Sequence, residues 1–349
     1  MLLPSPTPVS PMLWCLADSS SMLLAMPGLG HPLFSVSAER ADTAGGFHHV
    51  PVLFEETLHY LVPAPGKTIL DATLGGAGHA EAVLGRGARV IGIDRDPAAL
   101  ANAVVRLRSH GEAFVSRRAN FAELAKVTEE LAPNGVDGVL MDLGVSSHQL
   151  DSAERGFSLR SDGPLDMRMD PSEELTAGEI VNTWGVEDLA NLIFELGEER
   201  RSRAVARAIV QRREEKAFER TLDLADCVAS VVKQVGRTHP ATRTFQALRM
   251  RVNRELESIE EALESVAAIL KPGGRLVVIS FHSLEDRLVK RFMQRRSKKE
   301  IDRPEWPEAR PNPELAFNIL TKRPVVAAKG ELDENPRSRS AKLRAAERI

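Results

Sequence analysis

The chain has 349 residues, 43% of them hydrophobic and 27% charged, with a formal net charge of −3. That is the make-up of an ordinary globular protein of about two domains, without a general nucleic-acid surface, so any such surface must come from local clusters of Arg and Lys. Aromatics at 5%, a single tyrosine and two distant cysteines, Cys15 and Cys227, exclude an extended base-stacking platform, a disulfide framework and a cysteine-built zinc site.

Residues 1–46 differ from the rest. They carry no Lys or Arg before Arg40 and are rich in Pro, Ser and Met. Without a basic start they do not read as a signal peptide, and their apolar runs, broken by Pro and Gly, are too short to span a bilayer. A disordered extension is expected, with no membrane contact, on a cytoplasmic protein.

From Lys67 strand and helix alternate. "KTILDA" reads as a buried strand and "HAEAVLGRG" as a helix ending in glycine; "RVIGID" is a second strand, and "PAALANAVVRLRSHG" opens on proline at a helix start. "VDGVLMDLG" is a further apolar strand ending in aspartate. Such alternation implies a parallel sheet covered on both faces. Between about Asp151 and Pro240 only helical patterns occur, including the capping signature "TAGE" at Thr176 to Glu179. The sheet rhythm returns with "TFQALRMRVNRELESIEEALESVAAIL", whose apolar residues recur at steps of three and four and predict one long helix, followed by the strand "RLVVIS". The expected architecture is α/β: a sheet domain over 47–150 and 241–349, interrupted by an inserted all-helical domain over 151–240.

The loop "ILDATLGGAGHA" joins the first strand to its helix. Gly75, Gly76 and Gly78 let the backbone turn tightly and approach a ligand. Asp94 follows Asp71 by 94 − 71 = 23 positions at the next strand tip, where a carboxylate can accept from ribose hydroxyls. No Lys or Ser/Thr follows Gly78 in the register of a P-loop. Asp71 just before the glycines would repel the pyrophosphate of a nicotinamide dinucleotide. S-adenosyl-L-methionine, a cation at sulfur, is favoured by the same carboxylates.

Three stretches then coincide: "MDLGVSSHQLDSAERGFSLRSDGPLDMRMD" at 141–170, "HPATRTFQALR" at 239–249 and "ISFHSLEDR" at 279–287. From about His48 to the C-terminal "NPRSRSAKLRAAER" the chain resembles the RsmH (MraW) family of 16S rRNA methyltransferases, which act on N4 of a decoding-centre cytidine in the small ribosomal subunit. The resemblance implies a Rossmann-like S-adenosylmethionine-dependent methyltransferase sheet with a helical insertion that recognises substrate. Carried over residue by residue, it implies cofactor contacts at Ala77, Gly78, His79, Asp94, Phe121, Asp142 and Gln149. The family commonly reads Gly-Gly-His in the loop; here Ala77 stands for the first glycine, and the expectation is that Ala77 avoids positive φ because Gly75 and Gly76 lie just upstream.

Methylating a conjugated amine needs alignment and hydrogen-bond acceptors for its N–H bonds. The Asp/Asn/Ser-Pro-Pro-aromatic tetrapeptide that many amino-methylating enzymes use is absent, and "DLGVSS" stands in its place. Asp142 and the hydroxyls of Ser146 and Ser147 are therefore the candidate acceptors, against turn capping for the serines. His282 is the candidate to orient the base or take the proton; Asp286 is expected only to pair with an arginine. The loop 155–170 is read as a wall of the pocket that receives an unstacked cytidine. Four basic clusters, in the insertion, at the start of the long helix, after "SFHSLEDR" and at the C-terminus, are expected to meet RNA, with Arg160, Arg243 and Arg249 as contacts. No metal site is expected. The alternatives are an inactive methyltransferase-like RNA-binding scaffold, a nicotinamide-dependent oxidoreductase and a DNA cytosine-N4 methyltransferase.

Overall fold

The computed structural model describes residues 51–349 apart from Val235, Arg237 and the side chain of Ser147. The expected N-terminal extension and the hydroxyl of Ser147 thus lie outside the described residues.

After α1 (Phe54–Leu61), three strand-and-helix units and a fourth strand follow: β1 (Thr68–Asp71), α2 (Gly78–Gly85), β2 (Arg89–Asp94), α3 (Pro97–Leu107), β3 (Phe114–Arg118), α4 (Leu124–Leu131) and β4 (Val136–Asp142). Helices α5 (Ser147–Asp151), α6 (Ala177–Thr183), α7 (Val186–Glu195), α8 (Ser202–Glu215), α9 (Thr221–Val231) and α10 (Thr242–Val252) come next. Then α11 (Glu255–Ile269) leads into β5 (Leu270–Ser280) and α12 (Ser283–Ser297). A two-stranded ladder of β6 (Glu300–Ile301) and β7 (Arg310–Pro311) precedes β8 (Phe317–Ile319), α13 (Lys329–Glu334) and β9 (Lys342–Arg348).

Seven strands form one sheet in the order β3-β2-β1-β4-β5-β9-β8. β1 to β5 run parallel, and β9 inserts antiparallel between β5 and β8. The strands are apolar on both faces, as a doubly covered sheet requires. Ile69, Val90, Leu140 and Val277 point to the side covered by α1, α2 and α3. Their neighbours Leu70, Ile91, Val139 and Leu276 point to the side covered by α4, α11 and α12. The α/β, Rossmann-like expectation holds.

A third core is built from helices and the 155–170 loop, without a strand of the sheet. It gathers Phe157, Leu165, Ile180, Ile193, Val205, Leu224 and residues of α10 as far as Val252. The single long helix expected over this border does not form. Asn253 and Arg254 break it, and Arg254 takes a left-handed φ of 48° before α11 begins. Its apolar period is continuous in sequence, yet α10 packs in the helical core and α11 on the sheet. The break is held by Asn253, only 4% exposed, which accepts from the Met169 N–H and donates to the Met167 carbonyl, each at 2.7 Å. Helical packing therefore continues past the expected border at 240.

Candidate active site

Ligands of open parallel sheets sit beyond the carboxyl ends of the strands, where connections diverge. Here β1, β2 and β4 end in Asp71, Asp94 and Asp142, and all three line a cavity of about 370 Å³, within the usual range of ligand pockets. The glycine loop is tied to this edge: Asp94 Oδ2 accepts the Gly75 N–H at 2.8 Å and its Oδ1 accepts the Asp96 N–H at 2.9 Å. Burial pushes the Asp71 carboxyl up to about 7, against the pull of the Thr73 N–H and with help from the Asp94 charge. Burial, then the charges of Asp71 and Glu285, push Asp142 up to about 8. Asp142 Oδ1 has no hydrogen-bond partner, while the side chain stays 27% exposed and 3.8 Å from the His79 ring. An unsatisfied acceptor in a ring of crowded carboxyls is a seat for a positively charged ligand or an N–H donor.

The loop corrects one expectation. Ala77 does adopt positive φ, at 60° with ψ of 19°, as the N-cap of α2. The two upstream glycines do not relieve it, because the left-handed turn falls at the residue that starts the helix. Gly78 is required for a different reason: a Cβ there would meet Pro51 Cγ at 2.4 Å.

Behind the loop lies a buried polar knot. Asp96, 1% exposed, caps α3 through the Ala98 N–H at 3.0 Å, and its other oxygen accepts from Gln149 Nε2 at 2.9 Å and Arg155 Nη1 at 2.8 Å. Arg155 Nη2 donates on to the carbonyls of Arg168 and Met169, at 3.0 Å each. The strand tip, the start of α5 and the 155–170 loop are thereby fixed to one another. Ser146 accepts the Gln149 N–H at 3.3 Å and Gln149 Oε1 accepts the Ser146 N–H at 3.0 Å, a reciprocal cap on α5.

The far wall holds Arg249, Glu255, Phe281 and Glu285. Arg249 Nε and Nη2 donate to the two oxygens of Glu255 at 2.8 Å each. Glu285, with no exposed surface, accepts the Phe281 N–H at 2.8 Å and lies 3.0 Å from His282 Nε2. Despite burial, His282 and then Arg249 hold its carboxyl below the usual range. Donor atoms of Glu255, His282 and Glu285 lie within 4.8 Å of one another. Both Glu255 oxygens accept from Arg249, while Glu285 Oε1 and His282 Nε2 approach each other at 3.0 Å without a hydrogen-bond partner.

Residues 46–349 match the MraW methylase family. The chain belongs to that family. It is 48% identical over 306 residues to the "Ribosomal RNA small subunit methyltransferase H" of Carboxydothermus hydrogenoformans, an alignment covering 87% of this chain and 98% of that relative. Proteins of the same name from Trichlorobacter lovleyi and Geobacter sulfurreducens are each 50% identical over 309 residues, covering 87% of this chain and 99% of each relative.

Of the cofactor contacts that MraW resemblance implied, Ala77, Gly78, His79, Asp94, Phe121, Asp142 and Gln149 all line the one cavity. Phe121 is 9% exposed, with the Arg95 guanidinium 5.8 Å from its ring centre. The catalytic candidates divide. Asp142 and Ser146 line the cavity, but the Ser146 hydroxyl is occupied as a cap. His282 is not among the lining residues; its ring caps α12 and leans on Glu285. Asp286 pairs with Arg344 at 2.6 Å, as expected.

The basic clusters divide too. Arg160 is exposed, and Arg243 is 55% exposed and 3.6 Å from Glu199. Arg249 is no surface contact: it is clamped inside the cavity wall. The C-terminal cluster is split: Lys342–Arg348 form β9 with Leu343, Ala345 and Ala346 buried and with Arg344 and Lys342 facing Asp286, whereas Arg337 lines the cavity and Arg339 is exposed. Sequence reasoning missed Asp96, Arg155, Glu255 and Glu285. For Glu285 a signal existed, since His282 and Glu285 stand at capping-box spacing in "SFHSLEDR". Among the described residues no helix is long and apolar enough to cross a membrane.

Proposed function

We propose that this protein transfers the methyl group of S-adenosyl-L-methionine to the N4 amine of a cytidine in the 16S rRNA of the small ribosomal subunit. The observation that carries the reading is identity of 48–50% along nearly the whole length of relatives named as small-subunit rRNA methyltransferases. The donor set supports the cofactor. Three carboxyls converge on the cavity, and the Asp142 side chain, 27% exposed, is open to a cation or an N–H group.

When bound, the cofactor supplies an electrophilic methyl on a positively charged sulfur. The protein's own residues then hold and orient. Asp94 is assigned to the ribose hydroxyls, Phe121 to a flat face of the adenine, and Gln149, fixed by Asp96, to the neighbouring wall. Positive charge in the cavity favours the ionised form of Asp142, whose carboxylate accepts an N–H of the incoming amine and draws electron density onto nitrogen. The helical core over 157–252 is assigned to substrate recognition, with Arg160 and Arg243 as RNA contacts. No observation favours the scaffold, oxidoreductase or DNA readings.

The test is transfer of labelled methyl from S-adenosylmethionine to small subunits from cells lacking the protein, followed by mapping of the modified nucleotide. Label at N4 of one 16S cytidine is expected. Absence of transfer to small-subunit RNA, or label at another ring position, would refute the assignment.

A further inference from the structure

Arg249 lines the same cavity as Asp142, Phe281 and Glu285. One edge of its guanidinium, Nε and Nη2, is taken up by the two oxygens of Glu255. The remaining group, Nη1, makes no hydrogen bond, and it is not among the buried unpartnered atoms, so it is the open end of a side chain that keeps 17% of its surface. Glu255 is 4% exposed, so the fork is held in place before any ligand arrives. A clamped guanidinium presents donors only, in a fixed plane.

A cytosine ring offers two adjacent acceptors, N3 and O2, next to the N4 amine. Uracil offers a donor at N3 and an acceptor at O4. A donor-only fork on the cavity wall therefore matches cytosine and opposes uracil, while an acceptor such as Asp142 matches only the amine. We propose that Arg249 is the specificity-determining residue of this site, donating from its free edge to N3 and O2 of the target cytosine and so turning N4 toward Asp142. Glu255 positions it. The proposal rests on the cytidine-methylation reading given above.

The test uses small subunits carrying 3-deazacytidine, with CH in place of N3, at the target position. The ratio of kcat/KM for cytidine over 3-deazacytidine is measured for the wild-type protein and for Arg249→Gln. Altered ring electronics are common to both enzymes and cancel when the two ratios are compared. The wild-type ratio is expected to exceed the variant's by roughly 10- to 150-fold, the usual worth of one hydrogen bond to a charged group, since the analogue loses N3 but keeps O2. Equal ratios would overturn the proposal. Arg249→Gln leaves Glu255 buried without a partner, so the double variant Arg249→Gln/Glu255→Gln is measured alongside, with thermal melting and donor affinity as checks of folding; its ratio is expected to match the single variant's. Wild-type transfer to ordinary cytidine separates the two levels of failure. If that transfer is absent, the function itself is wrong; if it occurs with equal ratios, only the role of Arg249 is.

Discussion

Asp71 and Asp142 are carboxyls that burial makes hard to ionise. Both are raised by burial, to about 7 and about 8 respectively, from an ordinary value of 3.8. With folded values above the unfolded one, each favours the folded state most at low pH, and that advantage is lost as pH rises from about 4 towards 7 and 8. A cation entering the cavity reverses the balance by favouring the ionised forms. Binding of S-adenosylmethionine is therefore expected to release protons and to tighten with pH between about 6 and 8, by up to roughly tenfold per unit for each carboxyl that ionises. S-adenosylhomocysteine, which lacks the sulfonium charge, is expected to show a shallower slope. Calorimetric titration in buffers of different ionisation enthalpy counts the protons, and equal, flat profiles for both ligands would remove the electrostatic account. The same crowding explains why the acids were recognisable one by one, at strand tips, although their coupling was not. Proximity of Asp71, Asp142 and Glu285 depends on strands and a helix far apart in the chain.

At the scale of an element, the start of α2 is where the sequence reading failed, and Ala77 there is one of six non-glycine residues with positive φ among those described. Ala77 is 1% exposed and left-handed. The conformation costs an L-residue about 1–2 kcal/mol. Replacing it by glycine relieves that cost but gives up about 0.8 kcal/mol of methyl burial and about 0.4–1 kcal/mol through the freer unfolded chain. Ala77→Gly is thus expected to change stability by less than about 1 kcal/mol. Ala77→Val adds β-branched strain and overpacking, and is expected to cost about 2–4 kcal/mol. Thermal and denaturant melts of the two variants check this; a valine variant as stable as wild type would show that the loop relaxes away from the left-handed turn. The broken α10–α11 helix has a similar origin. Periodicity reports which residues are buried, but it is silent on whether one surface or two bury them.

Across the whole molecule, charge pairing decides which arginines are available to a polyanion. Arg212 is held by Asp223, Arg295 and Arg296 by Glu264, and Arg287 by Glu198. On α8, by contrast, Arg203 and Arg207 are exposed, one turn apart, and make no ion pair or hydrogen bond among the described residues. Arg203→Ala/Arg207→Ala is expected to weaken binding to small-subunit RNA and to lower the slope of log affinity against log salt by about 2, one for each lost phosphate contact. Donor affinity should be unchanged. An unaltered salt slope in filter binding would mean that this face is only solvated.

What the sequence determined by itself was the parallel sheet, the helical interruption and the strand-tip acids. Short continuous apolar runs, helix caps and glycines act over a few neighbouring residues, so they are legible along the chain. What only the tertiary structure decided was the fate of individual charges. Arg249 became a clamped wall of the cavity, the last part of the C-terminal basic run, Lys342–Arg348, became an inner strand, and His282 became a cap. Those outcomes depend on which partner lies across a gap of many residues, and a side chain's charge says nothing about the partner until packing has set the distance.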